Sequence, residues 1–294
     1  MIEPTIPLQL SRILIGLTSI SGLILVASGL TIIFGLMGIL NLSHGAFMMV
    51  GAYVAFGVQD LGFSPWIAII IAPVIVGLLG ILIEASLIKR LYDRPIDTLL
   101  ATWGVAIALQ ELVTIVFGTS QKNVVAPLQR QVAIAGTTYP AYWLFIILIA
   151  AVVMTITIAI FKYTDIGVMA RAVIQNRQMA ASLGINTDLS DRLTFGFGAG
   201  LAGLSGAIMA PLLSVTSDMG VSWLADSFLV VIVGGVGSFI GTIVGGIFLG
   251  GLDEVFRTLS SGNTAVAQAA VLVIAVLAIR YRPDGLINAG TGGE

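Results

Sequence analysis

The sequence predicts an all-α polytopic membrane protein with about eight transmembrane helices plus one re-entrant or broken half-helix, in a single transmembrane domain over residues 1–294. Three observations carry this. The chain is 57% hydrophobic and 10% charged with mean hydropathy +1.07, whereas soluble domains are about one-quarter charged. Apolar runs long enough to cross a hydrocarbon core recur from end to end. Glycine supplies 35 of 294 residues, well above the usual ~7%, as expected where membrane helices approach closely.

The first run, Ile13–Leu36, is too long for a cleaved signal, and Met1-Ile2-Glu3-Pro4 before it lacks a basic region. It is expected to be a retained anchor. Further spans are expected at Leu42–Val58, Pro65–Ile88, Thr98–Gly118, Tyr142–Phe161, Leu193–Val215, Phe239–Phe256 and Thr264–Ile279. Asp226–Gly235 is too short to cross and is expected to enter the bilayer and turn back at Gly234-Gly235-Val236-Gly237-Ser238. Such backbone is tolerated at bilayer depth only inside protein or along a wet cavity. A second glycine-broken stretch, Gly35 to Gly45, sits at the comparable place in the first half, and paired breaks point to a solute site near the midplane.

Basic residues set the topology. Lys89, Arg90 and Arg94 fall in one connection, Lys162, Arg171, Arg177 and Arg192 in another, and Arg280 and Arg282 after the last span. All three fall on the cytoplasmic side under the positive-inside rule, leaving Arg12, Lys122, Arg130 and Arg257 outside. The count closes only if Asp226–Gly235 adds a return pass, and the N-terminus then faces outward.

Lys162–Asp191 is the one long polar stretch. Its middle, Ala170–Ile185, has a helical pattern with a glycine stop at Gly184, and Ala170, Val173, Ile174 and Ala181 would share an inward side. The segment reads as a socket for a partner; a solvated helix on the membrane surface fits the same pattern.

With no cysteine and one histidine, His44, disulfides, thiolate or histidine metal clusters and cysteine nucleophiles are excluded. A net charge of −2 argues against a nucleic-acid partner. No catalytic residues converge: the spans are read as holding two carboxylates, Glu84 and Glu111, with Glu84 paired to a base at the interface and Glu111 deeper. No phosphate-cradling G-x-x-x-x-G-K-[ST] occurs, so any ATP and Mg²⁺ would be bound by separate subunits. Asn41, Ser43 and His44 at the first break, and Thr102, Trp103, Gln110 and Glu111 on the fourth span, are candidates for the solute path. Trp103 and Gln110 lie two turns apart on one face, suiting a small polar solute, although hydrogen bonding between helices explains them equally. Gly237, Gly241 and Gly245, four apart, would form a packing or sliding face.

The residues then look familiar. Gly29-Leu30-Thr31-Ile32-Ile33-Phe34-Gly35, Asn41-Leu42-Ser43-His44-Gly45-Ala46-Phe47 and Gly51-Ala52-Tyr53 resemble the opening signature of permeases of branched-chain amino acid ABC importers. Arg94-Pro95, Met179-Ala180-Ala181 with Leu183-Gly184-Ile185, Gly234 to Gly245, and Arg282-Pro283-Asp284-Gly285-Leu286 follow in the same order. Arg94 to Gly104 is more similar to the urea-transport branch, although the long extracytoplasmic N-terminal extension of many urea permeases is absent. The resemblance implies a type II-like importer permease in the bacterial inner membrane, with urea as solute and amino acids as the alternative. It also implies a heterodimer with a second homologous permease, two ATP-binding subunits and a periplasmic solute-binding protein. The coupling position falls on Lys162–Asp191, with Arg171, Asn176, Arg177, Ala180, Ala181 and Gly184 facing the ATPase.

Overall fold

The computed structural model describes residues 5–92, 94–134, 137–260 and 262–287; the anchor argument from Met1–Pro4 lies outside these. Eleven helices are formed among the described residues: α1 (Thr5–Leu30), α2 (His44–Asp60), α3 (Pro65–Ser86), α4 (Pro95–Phe117), α5 (Ala141–Tyr163), α6 (Asp165–Gln175), α7 (Arg177–Ser182), α8 (Thr187–Met209), α9 (Met219–Gly234), α10 (Phe239–Leu259) and α11 (Thr264–Tyr281). A short antiparallel pair, β1 (Gln131–Ile134) and β2 (Thr137–Pro140), lies in the α4–α5 connection, with Val132 opposite Tyr139.

Each of the eight expected spans meets a helix, but six are long and apolar enough to cross a membrane: Arg12–Leu36, Pro65–Arg90, Pro95–Phe117, Ala141–Tyr163, Phe239–Leu259 and Thr264–Tyr281. The two exceptions have physical reasons. α2 has only 17 residues, and α8 is diluted by glycine, alanine and a polar first turn. α8 is instead the centre of the bundle, buried along most of its length and packed on α1, α2 and α3. Its glycines make that contact possible. A Cβ on Gly203 would stand 2.6 Å from Val76, one on Gly198 2.6 Å from Ile33, and one on Gly200 2.9 Å from the Pro73 carbonyl. Small residues drive close membrane-helix packing because no hydrophobic gain separates protein from lipid there.

Two ends of the bundle can be distinguished. At the basic end, the close of α3 meets the start of α8 through Lys89–Asp188 and Arg192–Glu84 pairs, and α5 runs into α6. At the far end, Gln59 exchanges two hydrogen bonds with the Val125 backbone, and Lys122 and Val215 form an isolated antiparallel bridge.

The short piece expected at Asp226–Gly235 is a 16-residue helix beginning at Met219, about 24 Å long at 1.5 Å per residue. The turn does fall at Gly235 to Ser238, and Ser238 caps α10 by accepting from Gly241 N at 2.9 Å. Gly237 does not share a helix face with Gly241 and Gly245: it precedes α10 with φ +81°. Gly241 and Gly245 do pack on α9, where an added Cβ would stand 2.5 Å from the Gly234 and Val230 carbonyls respectively.

Candidate functional site

The coupling segment is two helices rather than one. Asn176 leaves the helical region (φ −158°, ψ 98°) and its side chain accepts from Met179 N at 2.9 Å, starting α7 as an N-cap. Gly184, at φ +84°, stops α7 as the sequence indicates. The inward residues are Ala170, Val173 and Ala180; Ile174, next to Val173 on α6, points away from the bundle, and Ala181 is exposed on α7, which the break at Asn176 sets apart from α6. Exposed with Ala181 on α7 and just beyond it are Met179 (58%) and Leu183 (75%), giving the segment an apolar surface.

Arg177 belongs to the segment's own scaffold. It pairs with Asp191 and, at 3.2 Å, with Asp188 on the first turn of α8, and lies over the Tyr92 ring at 5.2 Å. Lys89 donates to Asp188 from the α3–α4 connection. Glu84 is paired to a base as expected, but the base is Arg192, not Lys89 or Arg90, and Glu84 is fully buried. Burial pushes the Tyr92 phenol well above its ordinary value, so Tyr92 keeps its proton and donates it to Glu84 Oε1 at 2.7 Å.

At the first break, α1 ends in a π-helical turn, Thr31–Leu36, and α2 begins inside the bundle at His44. Asn41, Ser43 and His44 are fully buried. Asn41 Oδ1 accepts from Ser43 N at 3.0 Å and from Ser43 Oγ at 2.6 Å, forming an Asx-type turn. His44 Nε2 lies 2.8 Å from the Val26 carbonyl. A carbonyl only accepts, so Nε2 carries the proton and Nδ1 is an acceptor. Asn41 Nδ2 and His44 Nδ1 have no hydrogen-bond partner among the described residues. Thr102 on α4 accepts from Leu42 N at 3.1 Å, tying the broken strand to that helix.

Thr102 is therefore brought to Asn41, Ser43 and His44, but its expected companions are not. Trp103 is 54% exposed, Gln110 is half-buried and Glu111 exposed. α4 buries Thr98, Thr102, Ala106, Leu109 and Val113, and consecutive helical residues point about 100° apart, so Trp103 looks outward.

The two breaks meet. A Cβ on Gly35 would stand 2.6 Å from Gly237 N, and Thr31 and Thr242 hydroxyls bridge across at 2.6 Å. Only two protons serve this pair and its carbonyls, Ala27 O at 2.9 Å and Ser238 O at 3.1 Å; one crosses between the threonines and one carbonyl is left to its backbone bond. The C-terminal Arg282–Leu286 stretch closes the junction. Gly285 N bonds Arg282 O at 3.0 Å, and Leu286 N and Ile287 N donate to Val233 O and Gly234 O at 2.8 and 3.0 Å. These carbonyls end α9 and would otherwise be orphaned.

A family model described as branched-chain amino acid transport system / permease component matches residues 12–279. The chain belongs to that family. The high-affinity branched-chain amino acid transport system permease protein LivH of Salmonella typhimurium is 28% identical over 299 residues, 93% of each chain. BraD of Pseudomonas aeruginosa, of the same printed function, is 25% identical over 302 residues, 97% of each. The ribose import permease protein RbsC of Haemophilus influenzae is 27% identical over 276 residues, 90% of this chain and 83% of its own. No solved structure matches the chain.

In this member of the family the ionisable residues within helices are more numerous than Glu84 and Glu111. α9 carries Asp226, and α10 carries Asp253 and Glu254, with Arg257 paired to Asp253 at 2.7 Å. Asp218, Ser222 and Asp226 recur every four residues along α9 and are all exposed. Asp218, Ser222 and Trp223 line a cleft of about 470 Å³ at the far end together with Ser214 and Thr216. The periodicity begins at Asp218, the residue before α9, and so extends beyond a span that starts at Asp226. Among the described residues no group of three metal-ligating side chains is assembled.

Proposed function

We propose that the chain is the membrane permease subunit of an ABC importer for branched-chain or related amino acids, working in the bacterial inner membrane. The observation carrying this is the permease match over residues 12–279, and relatives whose printed function is branched-chain amino acid transport support the solute class. Its partners would be a second homologous permease, two subunits binding ATP and Mg²⁺, and a periplasmic solute-binding protein. The basic end would face the cytoplasm and the N-terminus outward. The α6–α7 segment would receive the ATPase through Met179, Ala181 and Leu183, and alternating access would move solute past the paired breaks.

Exposed carboxylates on membrane helices are costly unless they face water or protein. The Asp218–Ser222–Asp226 face is therefore our candidate for the solute path, beside the first break, whose Gly45 packs on Gly220 of α9 next to Asn41, Ser43, His44 and Thr102. Carboxylates here also suit an ammonium-bearing solute better than urea. Since the chain has no cysteine, Ser222→Cys gives an unambiguous label. In the complete transporter it is expected to react with a membrane-impermeant thiol reagent and to be slowed by solute, while Leu272→Cys on α11 stays inert. The reverse result would remove this face of α9 from the path.

Urea remains a second reading because Arg94 to Gly104 resembles the urea branch. Uptake of labelled leucine in cells with and without this chain separates the two. Chain-dependent leucine uptake that excess urea leaves untouched is expected; chain-dependent uptake of labelled urea, with no uptake of leucine, would establish the second reading. Uptake surviving loss of the ATPase subunits would instead indicate a channel or ion-coupled transporter.

A further inference from the structure

The ion-pair network at the basic end contains one joint that is assembled but not closed. Glu84 Oε1 is satisfied by Tyr92, but among the described residues Oε2 is buried without a hydrogen bond, and so is Arg192 Nε opposite it. The two atoms stand 3.6 Å apart, where charge-assisted N–H···O bonds close at about 2.7–2.9 Å. A buried carboxylate with its counter-charge drawn up but not engaged is unfavourable, so a small displacement that closes the gap is favoured locally.

The other half of the network is tied to the turn of α8 that carries Arg192. Asp191 precedes Arg192 on the same turn of α8 and is held by Arg177 of α7. Asp188, one turn earlier, is held by both Arg177 and Lys89. Displacing α7 therefore pulls on the turn of α8 that carries Arg192, and moves it relative to Glu84 on α3. Tyr92 touches both halves, lying under the Arg177 guanidinium and donating to Glu84. The α3–α8 surface just above is lined by glycine: a Cβ on Gly77 would meet the Gly196 carbonyl at 3.2 Å and Gly200 Cα at 3.7 Å. Ile81 and Val76 of α3 seat over Gly196 and Gly203 of α8 there, so the two helices are in close contact and a shift of one bears directly on the other.

We propose that Glu84, Tyr92 and Arg192 are positioning residues that convert displacement of the α6–α7 segment into displacement of α8 against α3, the Glu84–Arg192 pair closing in one stage of the transport cycle and opening in the other. This rests on the reading of residues 162–191 as the ATPase-coupling segment. The joint carries the stroke from the surface to the central helix, which also packs on α1 and α2 and so reaches the first break.

The test is made on the complete reconstituted transporter, reading solute taken up per ATP hydrolysed alongside co-purification of the ATPase subunits. Glu84→Gln keeps the size of the side chain and an acceptor for Tyr92 but removes the attraction to Arg192. It is expected to retain the ATPase subunits while uptake per ATP falls at least about fivefold, the lower end of common coupling free energies between linked sites. The charge exchange Glu84→Arg with Arg192→Glu is expected to recover part of that loss. Unchanged uptake per ATP in Glu84→Gln would overturn the proposal, as would loss of assembly and uptake together with no recovery in the exchange. Should Glu84→Gln fail to accumulate, Arg192→Gln tests the same joint from its more exposed side, and uptake per ATP equal to the parent's would be equally decisive against it. Failure of the underlying coupling reading looks different: chains altered at Met179 and Leu183 would then keep their ATPase subunits.

Discussion

Gly241→Leu is expected to reduce solute uptake to background. The glycine stands where α10 leaves its turn and meets Gly234 at the end of α9; even a single added carbon would come within 2.5 Å of the Gly234 carbonyl oxygen, 2.9 Å of its carbon and 2.9 Å of Ser238 Cβ. Two of those neighbours are backbone and cannot rotate away. Overpacking of this kind costs about 1–3 kcal/mol when surroundings can shift, and here the shift would break a junction. Gly234 also supplies the carbonyl that Ile287 N caps, and Val233 the one that Leu286 N caps. Prising α10 from α9 would free the C-terminal turn and separate Thr31 from Thr242. Gly104→Leu, where an added Cβ meets nothing within 4 Å, serves as the matched control and is expected to transport normally. Gly241→Ala separates tight packing from sliding. Lowered thermal stability with proportionate loss of uptake indicates a static contact, whereas slowed uptake at unchanged stability indicates that α9 and α10 move past each other. Normal uptake by Gly241→Leu would remove the close contact from the mechanism altogether.

The same junction shows what could be read from the chain and what could not. The turn at Gly235 to Ser238 was legible because glycines cluster there ahead of a serine cap. That Arg282–Leu286 would fold back onto it was not, since the bonds from Leu286 and Ile287 join segments some fifty residues apart and leave no local periodicity. The apolar runs match the six helices long and apolar enough to cross a membrane, and α8 as well, although its burial follows from small residues rather than hydrophobic ones. α4 was misjudged on orientation. Its inward stripe is Thr98, Thr102, Ala106, Leu109 and Val113, recurring at steps of four and three. Counting that stripe would have placed Trp103 and Glu111 outside. Polarity alone grouped them with Thr102, because depth along a helix says nothing about which side of it a residue occupies. At Asn176 the signal is weak: asparagine is a favoured N-cap residue, but Met179, three positions on, is not the Glu or Gln that completes a capping box, and helical propensity runs uninterrupted on both sides. Arg177 looked like a free docking cation because its partners, Asp188 and Asp191, lie beyond the Gly184 stop. Only the folding of the coupling segment onto α8 brings them within reach.

That relocation of Arg177 changes which substitution should detach the ATPase subunits most cleanly. Met179→Glu with Leu183→Glu is expected to abolish their co-purification while the permease still inserts and folds. Both side chains project from the coupling segment with most of their surface free, 58% and 75% exposed, and neither takes part in the Arg177 network. Covering an aliphatic side chain of this size is worth about 1.5–3 kcal/mol, and a carboxylate in its place would also have to be desolvated. Losing both anchors should weaken association at least about 100-fold, the equivalent of roughly 2.8 kcal/mol. Arg177→Glu should weaken association too, but for a different reason. A carboxylate facing Asp188 and Asp191 repels them, α7 lifts from α8, and the apolar surface is presented at the wrong angle. The two causes separate on repair: adding Asp191→Arg to Arg177→Glu restores the pair with reversed sign and is expected to recover ATPase binding, whereas the same addition to the Met179 and Leu183 variant should recover none. Co-purification of the ATPase subunits with the Met179→Glu, Leu183→Glu chain at parental yield would place the docking surface elsewhere than on α7.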